Sequence, residues 1–151
     1  MDISKLPRSL MVEIGVIITH WAHIEQDMIL HASALASKNT DGTPEEYLRM
    51  DFKRLREKWF DLCRANFSKG VMDKVVTPLN SRLAHLSKGR GTLAHGVWFV
   101  VGRGKYRVQY WEQKTSLERF YADVTAADIR EISAVVVTLK EDFERFCSGK
   151  T

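Results

Sequence analysis

The chain is poor in the residues that staple, span or break structure. It has two cysteines and three prolines in 151 residues. Cys63 and Cys147 fall in separate predicted helices and show neither metal-binding nor redox spacing, so they read as buried free thiols rather than a disulfide. No apolar run approaches the roughly 18 residues of a membrane span. No secretory h-region opens the chain, which gives the expectation of a cytoplasmic protein with no membrane association. Internal repeats and low-complexity linkers are also missing. The expectation is one domain over residues 1–151, long enough to bury a core. The net charge of +4 is only mildly basic; it permits nucleic-acid binding without requiring it.

What is present is helical periodicity. Leu10, Ile14, Ile17, Trp21, Ile24, Met28 and Leu35 form a near-heptad seam, interrupted by His31, that predicts a helix from about Arg8 to Ser37. Met11, Ile18, Ala22 and Ile29 widen its apolar face toward a central or dimer-forming position. Thr43-Pro-Glu-Glu46 has the form of a capping box with proline at the first helical position, and predicts a second helix running to about Ser68. Its seam is Leu48, Phe52, Leu55, Trp59 and Leu62; its other face is basic, a solvated charged surface or a track for RNA phosphates. After a joint at Lys69-Gly70, Met72, Val76, Leu79, Leu83 and Leu86 mark a third helix, kinked or split at Pro78. Thr125-Ala-Ala-Asp128 caps a last helix with the seam Ile129, Ile132, Val136, Leu139, Phe143 and Phe146.

Between the third and last helices the period changes to two. Val97–Val101 and Lys105–Trp111 flank Gly102-Arg-Gly104 and predict a β-hairpin over about 97–111, with a further short strand near Leu117–Tyr121. Arg103, Lys105 and Arg107 interleave with aromatics there. Such a surface binds single-stranded nucleic acid, or packs on the helices through its aromatic face; the sequence leaves both open.

The stretch that looks like chemistry ends the third helix. Extending its seam gives positions 90, 93 and 97, and Arg90 falls where a core residue is due. A guanidinium there is either neutralised by a carboxylate or held for a phosphate, which its planar donor fork suits. His95 lies in the last turn before Gly96, where the helix C-terminus favours the imidazolium and brings its titration toward neutrality. A histidine so placed suits general acid–base work, and is equally an ordinary surface residue at a helix end. Five residues is about 500° of helix, so cooperation needs arginine reach, a helix break at Gly91 or a second subunit. Glu25, beside the first helix's seam, is either an acidic partner for Arg90 or His95 or a plain structural carboxylate. His20, His23, Asp27 and His31 share one side of that helix, but converging ligands from a second element are missing; a solvated polar face is expected, with no metal and no cofactor.

Arg90-Gly-Thr-Leu-Ala-His95, late in a helix of an apparent bundle, resembles the Arg-x4-His signature of HEPN domains. Thr19-His-Trp-Ala-His-Ile-Glu25 and the Leu-Ala-His-Gly ending also resemble small bacterial and phage HEPN-like proteins. The resemblance implies a mainly all-α fold: an antiparallel four-helix bundle, here with a small β-hairpin inserted before the last helix. It implies a homodimer and a metal-independent endoribonuclease of toxin or antiviral-defence type, with an antitoxin or defence-system protein as partner. Arg90 and His95 would be catalytic; from their own placement and charge, Glu25 and Trp98 are the candidate supporting residues, and Arg82, Lys88, Arg103, Lys105 and Arg107 the candidate RNA contacts. Gly91 stands where the family usually has a polar residue after the arginine, and Val97 and Trp98 stand where some active members place a tyrosine. The alternative expectation is therefore an inactive HEPN-like module that binds nucleotide, RNA or protein.

Overall fold

The computed structural model describes residues 6–37, 44–95, 97–110 and 120–149, with the backbone alone at 44, 89–95, 97, 99, 109, 110 and 120–122. The chain is mainly helical, with one three-stranded antiparallel sheet of order β1-β2-β3. Helix α1 spans Arg8–Ser37 and packs chiefly against α6 (Ala126–Cys147) and α3 (Phe52–Asn66). Its first free amides are met early, since the Pro7 carbonyl accepts from Leu10 and Met11. The seam is buried from Leu10 to Met28 except for half-buried Ile14, and Ala32 and Ala36 extend it where α1 lies close to its neighbours.

His31 is not on a solvated face, as its row was expected to be. Indole nitrogen is only a donor, so the 3.0 Å Trp59 Nε1–His31 Nδ1 contact makes Nδ1 the acceptor. The His31 ring also lies against Phe67 and Phe146. A histidine can therefore take a core-facing position here because a buried tryptophan needs its lone pair. His20 and His23 lie further up α1; the His20 ring contacts the Val16 carbonyl, and His23 is exposed.

The predicted second helix is two helices. Helix α2 spans Pro44–Leu48, and its last turn closes through tight bonds from Arg49 to Glu46 and from Met50 to Tyr47. Asp51 then stands in an extended conformation and accepts from the Arg54 amide, the N-cap of α3. The break turns Tyr47 inward, fully buried, and leaves Leu48 largely exposed. Thr43 lies outside the described residues. The joint expected at Lys69-Gly70 sits one step earlier: Phe67 ends α3 in an extended conformation, and Ser68 caps α4 (Lys69–Val71).

From α4 the chain passes through a π-helical turn (Met72–Val76) into α5 (Thr77–His95). Pro78 explains the wider turn. In a regular helix its ring would press on the Lys74 carbonyl and offer it no hydrogen. Instead the Thr77 amide reaches the Met72 carbonyl five residues back, so the axis continues without splitting. Met72, Val76, Leu79 and Leu83 stay buried across the join.

Strands β1 (Val97–Gly102) and β2 (Lys105–Tyr110) form the predicted hairpin, with Gly104 at a φ of 68° in its turn. A register shift between Val100 and Gly102 marks a bulge. Strand β3 (Phe120–Thr125) pairs with β2; of the short strand expected near Leu117–Tyr121, residues 117–119 lie outside the described residues. It runs directly into the Thr125–Asp128 capping box of α6. Two core clusters result. One joins α1, α2, α3, α5 and α6 around Trp21, Trp59, Tyr47 and Phe143. The other seats the sheet, through Trp98, Tyr106 and Val108, on Leu10 and Ile17 of α1 and Ile129 and Val136 of α6. Leu86, half-buried, packs against both.

Candidate functional site

Helix α5 positions the Arg-x4-His stretch. Its hydrogen-bonded backbone continues through Gly89, Arg90 and Gly91 and ends at His95, after which the chain enters β1. The helix break at Gly91, one of the ways considered to bring the pair together, is not there; glycine weakens a helix by only about 1 kcal/mol, and the turns before it are anchored by buried Leu79 and Leu83. On a continuous helix, positions 90 and 95 differ by about 140° around the axis and about 7.5 Å along it. The side chains of Arg90 and His95 lie outside the described residues.

Glu25, read as an acidic partner for Arg90 or His95 or as a structural carboxylate, bonds a residue of its own helix. Its carboxylate accepts the indole hydrogen of fully buried Trp21 at 2.8 Å. That bond satisfies the one polar atom of a core tryptophan whose ring also makes a T-shaped contact with Phe52. Trp98 is buried, 4% exposed, in the cluster under the sheet. Tyr106 is equally buried. The hairpin face that carries Trp98 and Tyr106 is thus its inner face, and these two present no ring to a base; the side chains of Phe99, Tyr110 and Trp111 lie outside the described ones.

The basic residues separate into three places. Arg103 and Lys105 are exposed at the hairpin turn. Arg107, on the outer face of β2, makes a two-pronged pair with Asp123 of β3, at 2.7 and 3.1 Å. This pair holds the Asp123 carboxyl below its ordinary range. Lys88 is exposed on α5, two residues before Arg90. Arg82 lies further back on α5 and bonds Asp142 of α6 at 2.7 Å. Lys74 and Arg145, which sequence reading did not single out, share a groove with Arg82. The signal was the 74–78–82 spacing along one helix face, but the opposing wall comes from α6.

Among the described residues, no three His, Cys, Asp or Glu side chains are grouped to hold a metal ion, and no helix is long and apolar enough to cross a membrane. Cys63 is free and buried, its thiol pushed up to about 12 by burial; Cys147 is free and half-buried, and burial raises it too. No protein-family model matches the chain, and neither a curated protein nor a solved structure matches it.

Proposed function

We propose that the chain is a HEPN-like, metal-independent endoribonuclease of toxin or antiviral-defence type, working as a homodimer in the cytoplasm beside an antitoxin or defence-system partner. The observation that carries this reading is that α5 is unbroken and ends on His95. A histidine on the last turn of a 19-residue helix lies at the negative end of its dipole, which favours the imidazolium. In this reading Arg90 grips the scissile phosphate and offsets charge that develops on it. His95 takes the proton from the ribose 2′-hydroxyl, or gives one to the departing 5′-oxygen. The products are a 2′,3′-cyclic phosphate and a 5′-hydroxyl.

The angular separation of positions 90 and 95 on one helix favours a site completed across a dimer. Surface apolar residues of α1 support such an interface: Met11 and Ile18 are exposed one heptad apart, and Val12 is 59% exposed. The same separation also supports a second reading, an inactive module that binds RNA, nucleotide or protein.

The deciding experiment is cleavage of total RNA and of labelled oligonucleotides in EDTA, comparing wild type with His95→Ala and Arg90→Ala. The expected outcome is metal-independent cutting, reduced at least about 100-fold in each variant, the scale of a lost general acid or base. No cutting by a folded, dimeric wild type selects the binding-module reading.

A further inference from the structure

Helices α5 and α6 leave a groove between them, enclosing about 330 Å³ near the π-helical turn. Its apolar surface comes from Val75 and Pro78 on one side and Phe146 on the other. Its charged groups are Lys74, Arg82 and Arg145, with a single carboxylate, Asp142. Asp142 is divided between two guanidiniums: Arg82 bonds one oxygen at 2.7 Å, and Arg145 approaches the other only to 4.0 Å. The longer distance is beyond a hydrogen bond, so Arg145 keeps its donors for another acceptor. Lys74 has no ion pair among the described residues. Three cations against one carboxylate leave two positive charges facing one concave, partly apolar space.

We propose that this groove binds a phosphate ester of a nucleotide, with the phosphate among Lys74, Arg82 and Arg145 and the base against Val75, Pro78 and Phe146. The charge balance matches an anion of one or two charges, and guanidinium forks are the donors that fit phosphate oxygens. The volume lies at the lower end of small-molecule sites, about 300–1,000 Å³. Asp142 holds Arg82 in place, so that guanidinium is oriented before any ligand arrives. The π-helical turn contributes by keeping Lys74, Val75, Pro78 and Arg82 on one wall despite the proline. The ester has two possible sources. A free nucleotide needs nothing from the cleavage chemistry. The backbone of an RNA strand rests on the endoribonuclease reading, and enters on the same helix as Arg90, eight residues or about 12 Å further along.

The test uses full-length protein carrying His95→Ala, so that no probe is consumed. Adenosine monophosphate is titrated by calorimetry, and a fluorescein-labelled single-stranded oligoribonucleotide by anisotropy. The groove variant is Lys74→Gln with Arg145→Gln, which leaves the Arg82–Asp142 pair intact; circular dichroism and the melting temperature verify its fold. A control, Arg8→Gln with Arg130→Gln, removes equal charge from exposed positions of α1 and α6. The groove variant is expected to weaken binding at least about 10-fold, and to flatten the log-log salt dependence for the oligonucleotide by about 1.4, two phosphates' worth on a single strand. The control leaves both within about 2-fold of the parent. An effect on the monophosphate identifies a nucleotide site; an effect confined to the oligonucleotide identifies a strand site. Absence of binding to both probes, or equal losses in groove and control variants, overturns the proposal. Failure of wild type to cut RNA overturns the endoribonuclease reading while the binding of either probe is read without cleavage, so the groove proposal and the cleavage proposal fail separately.

Discussion

Replacing Trp98 by alanine is expected to damage the fold, not a binding surface. Trp98 is 4% exposed and belongs to the cluster of Leu10, Ile17, Tyr106, Val108, Ile129 and Val136. On the sheet it stands opposite Val108, which is fully buried. Truncating a buried tryptophan removes its transfer free energy and leaves a cavity, together about 3–5 kcal/mol. For a chain of this size each kcal/mol lowers the melting temperature by about 2–4 °C, so the expected fall is about 6–20 °C. Trp98→Phe keeps a ring in the same cluster and is expected to cost less than half as much. Urea titrations followed by circular dichroism measure both losses, with the slope monitored for a change in two-state behaviour. The refuting pattern is specific. If Trp98 were a platform for an RNA base, Trp98→Ala would hold stability within about 0.5 kcal/mol while RNA affinity fell by about 1–3 kcal/mol.

Four further outcomes rest on local geometry. Thr125→Ala is expected to cost about 1 kcal/mol, because the Thr125 hydroxyl accepts the Asp128 amide at 3.1 Å at the start of α6. The reciprocal bond, from the Thr125 amide at 2.8 Å, holds the Asp128 carboxyl below its ordinary 3.8; its stabilisation is complete above that value and lost as pH falls through the lower folded one, so wild-type and Asp128→Asn melting curves are expected to converge in acid. Gly104→Ala is expected to cost about 1–2 kcal/mol in chemical denaturation, purely through its positive φ since an added Cβ would touch nothing, and Gly104→Asn is expected to recover most of it. Asp27 has its carboxyl raised, first by burial and then by Glu144. The folded state therefore holds that proton more tightly than the unfolded chain, and ionisation costs stability; Asp27→Asn is expected to raise the melting temperature at pH 7, by no more than about 1 kcal/mol in stability terms, and to lose its advantage below about pH 3.8.

The parts of the fold legible in the sequence are those where one physical signal acts alone. Helix α1 has the expected bounds, Arg8–Ser37, because a long apolar seam has nothing to compete with it. The α6 capping box is also as read, because Thr125 and Asp128 are local partners. Expectation failed where two signals competed. The apolar spacing from Leu48 through Phe52 to Leu62 suggested one helix, but Asp51 between them is a capping residue, and capping prevailed since it also buries Tyr47. The candidate site divides in the same way. That Arg90 and His95 share the end of one helix is a matter of periodicity. Which face of the hairpin points inward is not: alternation makes Tyr106 and Val108 opposite to Lys105 and Arg107, and only the apolar residues of α1 and α6 beneath decide that the Tyr106 side is buried. Cross-chain pairing is the least legible of all. Arg82 and Asp142 are 60 residues apart, and no spacing rule links them. Read alone, each is one more charge on an amphipathic helix. Paired, they fix a guanidinium at the mouth of a groove where Arg145 reaches the same carboxylate only at 4.0 Å and Lys74 has no ion pair among the described residues, and that imbalance is what the proposed phosphate would offset.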